Sequence, residues 1–248
     1  MPARVDQVQD PLVVADLATV RLGTAFFRRA LNRVLDKDLA GDSLLTGWTR
    51  RHVVAHVGYN ARALARLVDW AATGVETPMY SSPDARNAEI EVGATLNPEA
   101  LRNLVEHSAI DLDVRWRDLP EDRWPQQVRT AQGRVVPGSE TIWMRSREVW
   151  LHAVDLDSGA RIDQIPAAVS RRLIGDVHRA WGSRQDGPVP TLADTDSGTR
   201  WGPRGADSTI SGPLAALVGW VTGRIPVGAA ADFLQWCGGR PRPAPRWI

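Results

Sequence analysis

Thr49-Arg50-Arg51-His52-Val53-Val54-Ala55-His56-Val57-Gly58-Tyr59-Asn60-Ala61-Arg62-Ala63-Leu64-Ala65-Arg66-Leu67-Val68-Asp69-Trp70-Ala71-Ala72 is the stretch whose periodicity decides the fold. At about 100° per residue, Val53, Val57, Leu64, Leu67, Val68 and Ala71 fall on one stripe. His56 and Asn60 lie on or beside that stripe and point inward. His52 lies further round, toward Arg62 and Arg66. Thr49 stands where an N-cap is expected, and Gly74 suits a helix end. The stretch therefore predicts an amphipathic helix that carries a histidine into a core.

Three further segments on either side have the same character. Leu12 to about Val34 is apolar at helical spacing. Asn97-Pro98-Glu99 places a cap and then a proline at the first helical turn, opening a helix to about Arg117. After a Pro-, Gly- and Gln-rich loop from Pro120 to Gly138, Ser139 is expected to cap a helix reaching about Asp157. Four long amphipathic helices predict a bundle over residues 1–160. Asp157-Ser158-Gly159-Ala160 reads as a break. Beyond it come a helix from Pro166 to Trp181, β-prone pieces at Pro190-Thr191-Leu192 and Ser208-Thr209-Ile210, and a short helix opened by Gly212-Pro213 and ended by Gly223. Residues 161–248 are expected to form a small α+β domain, with an extended tail from Arg240 to Arg246.

Composition narrows the function classes. The formal net charge of +1 gives no reason to expect nucleic acid or an anionic membrane as partner. No run approaches the length of a membrane span, and the polar start of the chain lacks a signal peptide's apolar core. The single cysteine, Cys237, excludes an intramolecular disulfide and favours a cytoplasmic setting. It is expected to be an inert, half-buried thiol. Eleven tryptophans are accounted for as core packing.

Of five histidines, His107 and His178 show no partner and are expected to be structural. Glu148 and His152 are four residues apart and stack on one helical face with Met144, Leu151 and Asp155. A buried carboxylate beside a buried imidazole needs compensation, and a divalent cation held by His56, Glu148 and His152 supplies it while leaving positions open. Asp155 is placed to orient His152. Spacing alone leaves two other readings standing: a His52/His56 pair of ligands, and a plain Glu–His hydrogen bond in a core.

Gly47-Trp48-Thr49-Arg50-Arg51-His52-Val53-Val54-Ala55-His56-Val57 resembles the second-helix motif of the DinB-like metal-binding bundles. Arg145-Ser146-Arg147-Glu148-Val149-Trp150-Leu151-His152-Ala153-Val154-Asp155-Leu156 resembles the fourth-helix motif of one branch, the mycothiol-dependent maleylpyruvate isomerases. Glu76-Thr77-Pro78-Met79-Tyr80, Thr130-Ala131-Gln132-Gly133-Arg134, Ser211-Gly212-Pro213-Leu214-Ala215, Thr222-Gly223-Arg224 and the ending Pro245-Arg246-Trp247-Ile248 are similar to the same branch. The resemblance is weakest between about Ile162 and Pro203.

This resemblance implies zinc on His56, Glu148 and His152, and it places the family's C-terminal arginine on Arg224. It implies a cis-trans isomerase of aromatic-ring (gentisate) degradation, acting on maleylpyruvate with mycothiol in the cytoplasm as a monomer. The thiolate adds to the cis alkene, the resulting single bond rotates, and the thiolate leaves from trans fumarylpyruvate. Arg224 is the expected holder of a substrate carboxylate, with Arg86 a second candidate; Tyr59 and Asn60 are candidates to line the thiol site. A mycothiol S-transferase of detoxification and a non-enzymatic regulatory metal-binding module are the competing functions.

Overall fold

The computed structural model describes residues 5–184 and 189–247. The first four residues, and Ile248 at the end of the family-like tail, lie outside them. The chain divides into two compact units, Met1–Ala160 and Arg161–Ile248.

The first unit is a helical bundle. Its long helices are α1 (Pro11–Arg33), α2 (Arg50–Thr73), α4 (Pro98–Asp118) and α5 (Glu140–Asp155), and a shorter α3 (Pro83–Ala94) lies between α2 and α4. The helix ends follow the local chemistry. Asn97 accepts from the Ala100 N–H at 2.8 Å and Pro98 occupies the first turn. Gly74 closes α2 in the left-handed region, φ 76°. Ser139 departs from expectation: its backbone is already helical and its side chain makes no cap bond.

The wheel drawn for α2 holds. Val53, Val57, Leu64, Leu67 and Ala71 are fully buried, with Val68 nearly so, and His56 and Asn60 go inward with them. Val54, Ala61 and Ala63 are buried as well, because α2 packs against α3, α4 and α5 together.

Two elements of this unit depart from the sequence reading. The connection after Gly74 contains α3, capped by Ser82, whose side chain accepts from the Ala85 N–H at 3.0 Å. Only Ile90 and Gly93 of α3 are buried, so it shows no apolar stripe. The loop from Pro120 to Gly138 contains a two-stranded antiparallel hairpin, β1 (Gln127–Arg129) and β2 (Val135–Pro137), turned at Gly133 with φ 80°.

The second unit is α+β. Its sheet has the order β4-β3-β5-β6, from β3 (Thr191–Asp194), β4 (Arg200–Trp201), β5 (Thr209–Gly212) and β6 (Gln235–Cys237). The β3–β5 pair is parallel and the other two are antiparallel. The helices are α6 (Ala167–Arg184), α7 (Leu214–Val221) and α8 (Val227–Ala231). Asp196 caps α7 by accepting from the Leu214 N–H at 3.0 Å. Trp181 and Trp220 do more than pack: their indole N–H groups donate to Pro245 and Arg242 at 3.1 and 2.8 Å, tying the extended tail down.

Two expectations about single residues are corrected. His178 has a partner, the carbonyl of Pro190 at 3.1 Å, whereas His107 is exposed on α4. Cys237 is exposed, not half-buried, because it sits on β6 at the edge of the sheet. Among the described residues no helix is long and apolar enough to cross a membrane.

Candidate metal centre

The polar centre of the bundle lies between α2 and α5. His56 meets Glu148, while the following turn of α2, Val57 and Asn60, meets Arg145. Partners thus run in opposite order along the two helices, which are antiparallel and in register. The i,i+4 spacing puts Glu148 and His152 on the face of α5 turned toward His56. His152 is one of thirteen buried residues among the sixteen of α5, while Glu148 keeps a narrow opening, its side chain 13% exposed.

The two imidazoles address one carboxylate oxygen. His56 Nε2 lies 2.8 Å and His152 Nε2 3.1 Å from Glu148 Oε2. The rings are edge-on, 4.8 Å between centroids. One ligand atom from each residue lies within 4.8 Å of the other two. Behind His152, Asp155, fully buried, stands 2.8 Å from Nδ1. Such a carboxylate fixes the ring and leaves Nε2 for a cation. Trp48 covers His56, with 5.5 Å between ring centroids.

The electrostatics agree with a cation site. Burial would raise the Glu148 carboxyl, but hydrogen bonds from His152 and His56 outweigh it and hold Glu148 well below the ordinary range. Burial pushes His56 down to about 4, so the ring is neutral at neutral pH, as a ligand must be. Burial would also lower His152, yet the bonds to Asp155 and Glu148 prevail and raise it. A neutral imidazole, an ionised carboxylate and a second imidazole whose proton a metal displaces fit a divalent ion.

His52 stays outside this cluster. Its Nδ1 lies 3.2 Å from the backbone N–H of Thr49 and 2.7 Å from the Thr49 hydroxyl, and its Nε2 lies 3.5 Å from Glu91. It caps α2 from the third helical position, the place usually held by Glu or Gln. Among the described residues the His52/His56 ligand pair is not formed.

The remaining sequence-predicted residues take different places. Arg86, on α3, brings Nη2 to 3.5 Å from His56 Nδ1 and is half-buried at the centre's edge. Tyr59 packs against Gly93 of α3 and carries Arg62 over its ring at 5.5 Å. Asn60 commits its amide oxygen to Arg145 at 3.0 Å. Arg224, in the second unit, donates to the Thr222 carbonyl at 2.6 Å at the end of α7.

Two residues beside the centre were not singled out from sequence. Arg145 is 1% exposed. Burial pushes it down to about 10, opposed by Glu148 and Tyr80, so it remains a cation at neutral pH. Its signal was available: positions 145, 148 and 152 share one face of a helix. Tyr80, in the connection leading to α3, is pushed up to about 12 by burial, so its phenol is a neutral donor. No spacing in the sequence brings it to the centre.

Comparison with known proteins places the arrangement. Residues 20–157 match the family model described as the mycothiol maleylpyruvate isomerase N-terminal domain. Two similar solved structures are a crystal structure of the mycothiol-dependent maleylpyruvate isomerase and one of a histidine-to-alanine mutant of it. Each is 47% identical, with a TM-score of 0.89, over 95% of this chain and 97% of its own. Among curated protein sequences there is no significant match.

Proposed function

The chain belongs to the mycothiol-dependent maleylpyruvate isomerase family, and from that premise we propose that it converts maleylpyruvate to fumarylpyruvate with mycothiol as a regenerated cofactor. The carrying observation is the extent of the likeness, 47% identity over 95% of the chain. A metal-binding bundle alone would be shared by thiol transferases, whereas this likeness continues through the second unit.

A divalent ion, for which we propose zinc, and the thiol together supply a thiolate nucleophile at neutral pH, whose reversible addition lets a cis double bond rotate. His56, Glu148 and His152 would hold the ion. Asp155 keeps His152 turned toward it by accepting at Nδ1. Arg86, beside His56, puts a cation where a substrate carboxylate or developing enolate would stand. Tyr59 follows His56 by about one turn of α2 and borders the place assigned to the thiol, while Asn60 beside it gives its amide oxygen to Arg145. Arg224 is the proposed second carboxylate clamp, since a planar guanidinium grips a carboxylate at two points.

The test mixes the protein with zinc, mycothiol and maleylpyruvate and follows loss of the cis substrate, with glutathione and thiol-free controls. Free thiol is titrated over many turnovers. Turnover at constant thiol is expected. One thiol consumed per turnover would move the protein to the S-transferases, and absence of turnover with every thiol would overturn the reading.

A further inference from the structure

Among the described residues, Arg145 is the only arginine or lysine that is buried. Its Nη1 donates to the Val57 carbonyl at 2.6 Å and to Asn60 Oδ1 at 3.0 Å. Its Nη2 is sealed from solvent and meets no acceptor among the described residues. A substrate carboxylate cannot reach an atom so enclosed. What acts at a distance is the charge: Arg145 and Glu148, one turn apart on the same face of α5, interact electrostatically.

The other charges facing the centre are more exposed. Arg86 faces it from α3, Arg147 from α5 with its Nη2 3.3 Å from Glu148 Oε1, and the neutral Tyr80 phenol, beside Glu89 and Arg66, from the connection. Water screens such groups. The charges most withdrawn from water are therefore Asp155 and Arg145, with Glu148 next at 13% side-chain exposure. A divalent ion balances the two carboxylates, and Arg145 leaves a surplus of one positive charge in a site that water screens little.

We propose that Arg145 is a positioning residue of the metal centre, whose buried charge leaves the loaded site one unit positive and so selects an anion, a thiolate, as the incoming ligand. The inference rests on the metal assignment proposed above and not on the identity of the substrate. Asn60 and Val57 fix the guanidinium one layer from the ligands. At an effective dielectric constant of about 20, a unit charge about 6–12 Å away shifts an ionisation by about one to two pH units.

The full chain loaded with Co(II) is titrated with pH in the presence of 2-mercaptoethanol, reading the thiolate-to-metal absorption band. Arg145→Gln, which keeps a donor to α2, should raise the midpoint by about one to two pH units at unchanged cobalt content. Asn60→Asp should do the same with Arg145 in place, because it sets an isosteric anion on the guanidinium. Arg145→Lys should stay near the parent, and Asn60→Ala, which loosens the tether but keeps the cation, should leave the midpoint unmoved. Should Arg145→Gln fail to fold, Asn60→Asp carries the same comparison. Fully loaded Asn60→Asp with the parent's midpoint would overturn the proposal, as would Asn60→Ala shifting as far as Asn60→Asp. A parent chain that binds no cobalt would remove the metal assignment and this inference together. A shifted midpoint in a protein that does not isomerise maleylpyruvate would leave this inference standing and remove only the functional reading.

Discussion

Replacing Asp155 with alanine removes the carboxylate 2.8 Å behind His152 while leaving all three proposed ligands in place. The His152 ring then loses the acceptor that fixes its orientation, with Nε2 turned to Glu148. Loss of such an outer partner weakens metal binding about 10- to 100-fold, or about 1.4–2.7 kcal/mol. The metal-free chain should also lose about 1.5–3 kcal/mol, the worth of a hydrogen bond to a charged group. That loss has a definite pH dependence. His152 is held above its ordinary value, chiefly by Asp155 once burial is overcome. Stability from a raised histidine is complete below the unfolded value of about 6.5 and is lost as pH rises through the folded value. The penalty of Asp155→Ala in the metal-free protein should therefore be larger at pH 5.5 than at pH 9. Competition with a chromophoric chelator gives the affinity, and urea melts at the two pH values give the stability difference. Parent-like zinc affinity, or a penalty that grows with pH, would refute the placement of Asp155 as the anchor of His152.

The other expectations concern the separation of roles among neighbours. His56→Ala or His152→Ala should empty the site in elemental analysis, while His52→Ala should keep the metal and lose about 1 kcal/mol in a thermal melt, the worth of a helix cap; the reverse pattern would reassign the ligands. Arg224→Ala should keep metal and fold but lose about 30- to 1000-fold in rate, or about 2–4 kcal/mol. Arg224→Lys should rescue only part of that, and near-normal kinetics in Arg224→Ala would remove the residue from the mechanism. Gly93→Ala should lift α3 away from α2, since its Cβ would stand 2.6 Å from the Tyr59 ring and 2.8 Å from the Ala55 side chain. The cost should be about 1–3 kcal/mol, with a raised KM because Arg86 rides on α3. An unchanged melt and KM would show that α3 does not position Arg86. In the metal-free protein, His56 should reduce stability as pH falls from 6.5 toward 4, because its folded value lies below the unfolded one.

The long helices and the inward direction of His56, Glu148 and His152 were legible in the chain alone. Each rests on spacing within one continuous segment, and a 3.6-residue period turns spacing directly into a face. The helix starts at Asn97 and the end at Gly74 were legible for the same reason, since caps are local. α3 and the β1–β2 hairpin were not, because short, mostly exposed elements have no periodic core face to betray them. The wheel also favoured His56 over His52, and the fold supplies the partners: packing of α2 against α5 brings His56 to Glu148, while His52 caps its own helix. Arg145 shares a helical face with Glu148 and His152 and so carried a signal within one segment. Tyr80 shows the limit: what makes it part of the centre is burial beside groups far away in sequence, and burial is a property of packed elements that no single segment contains.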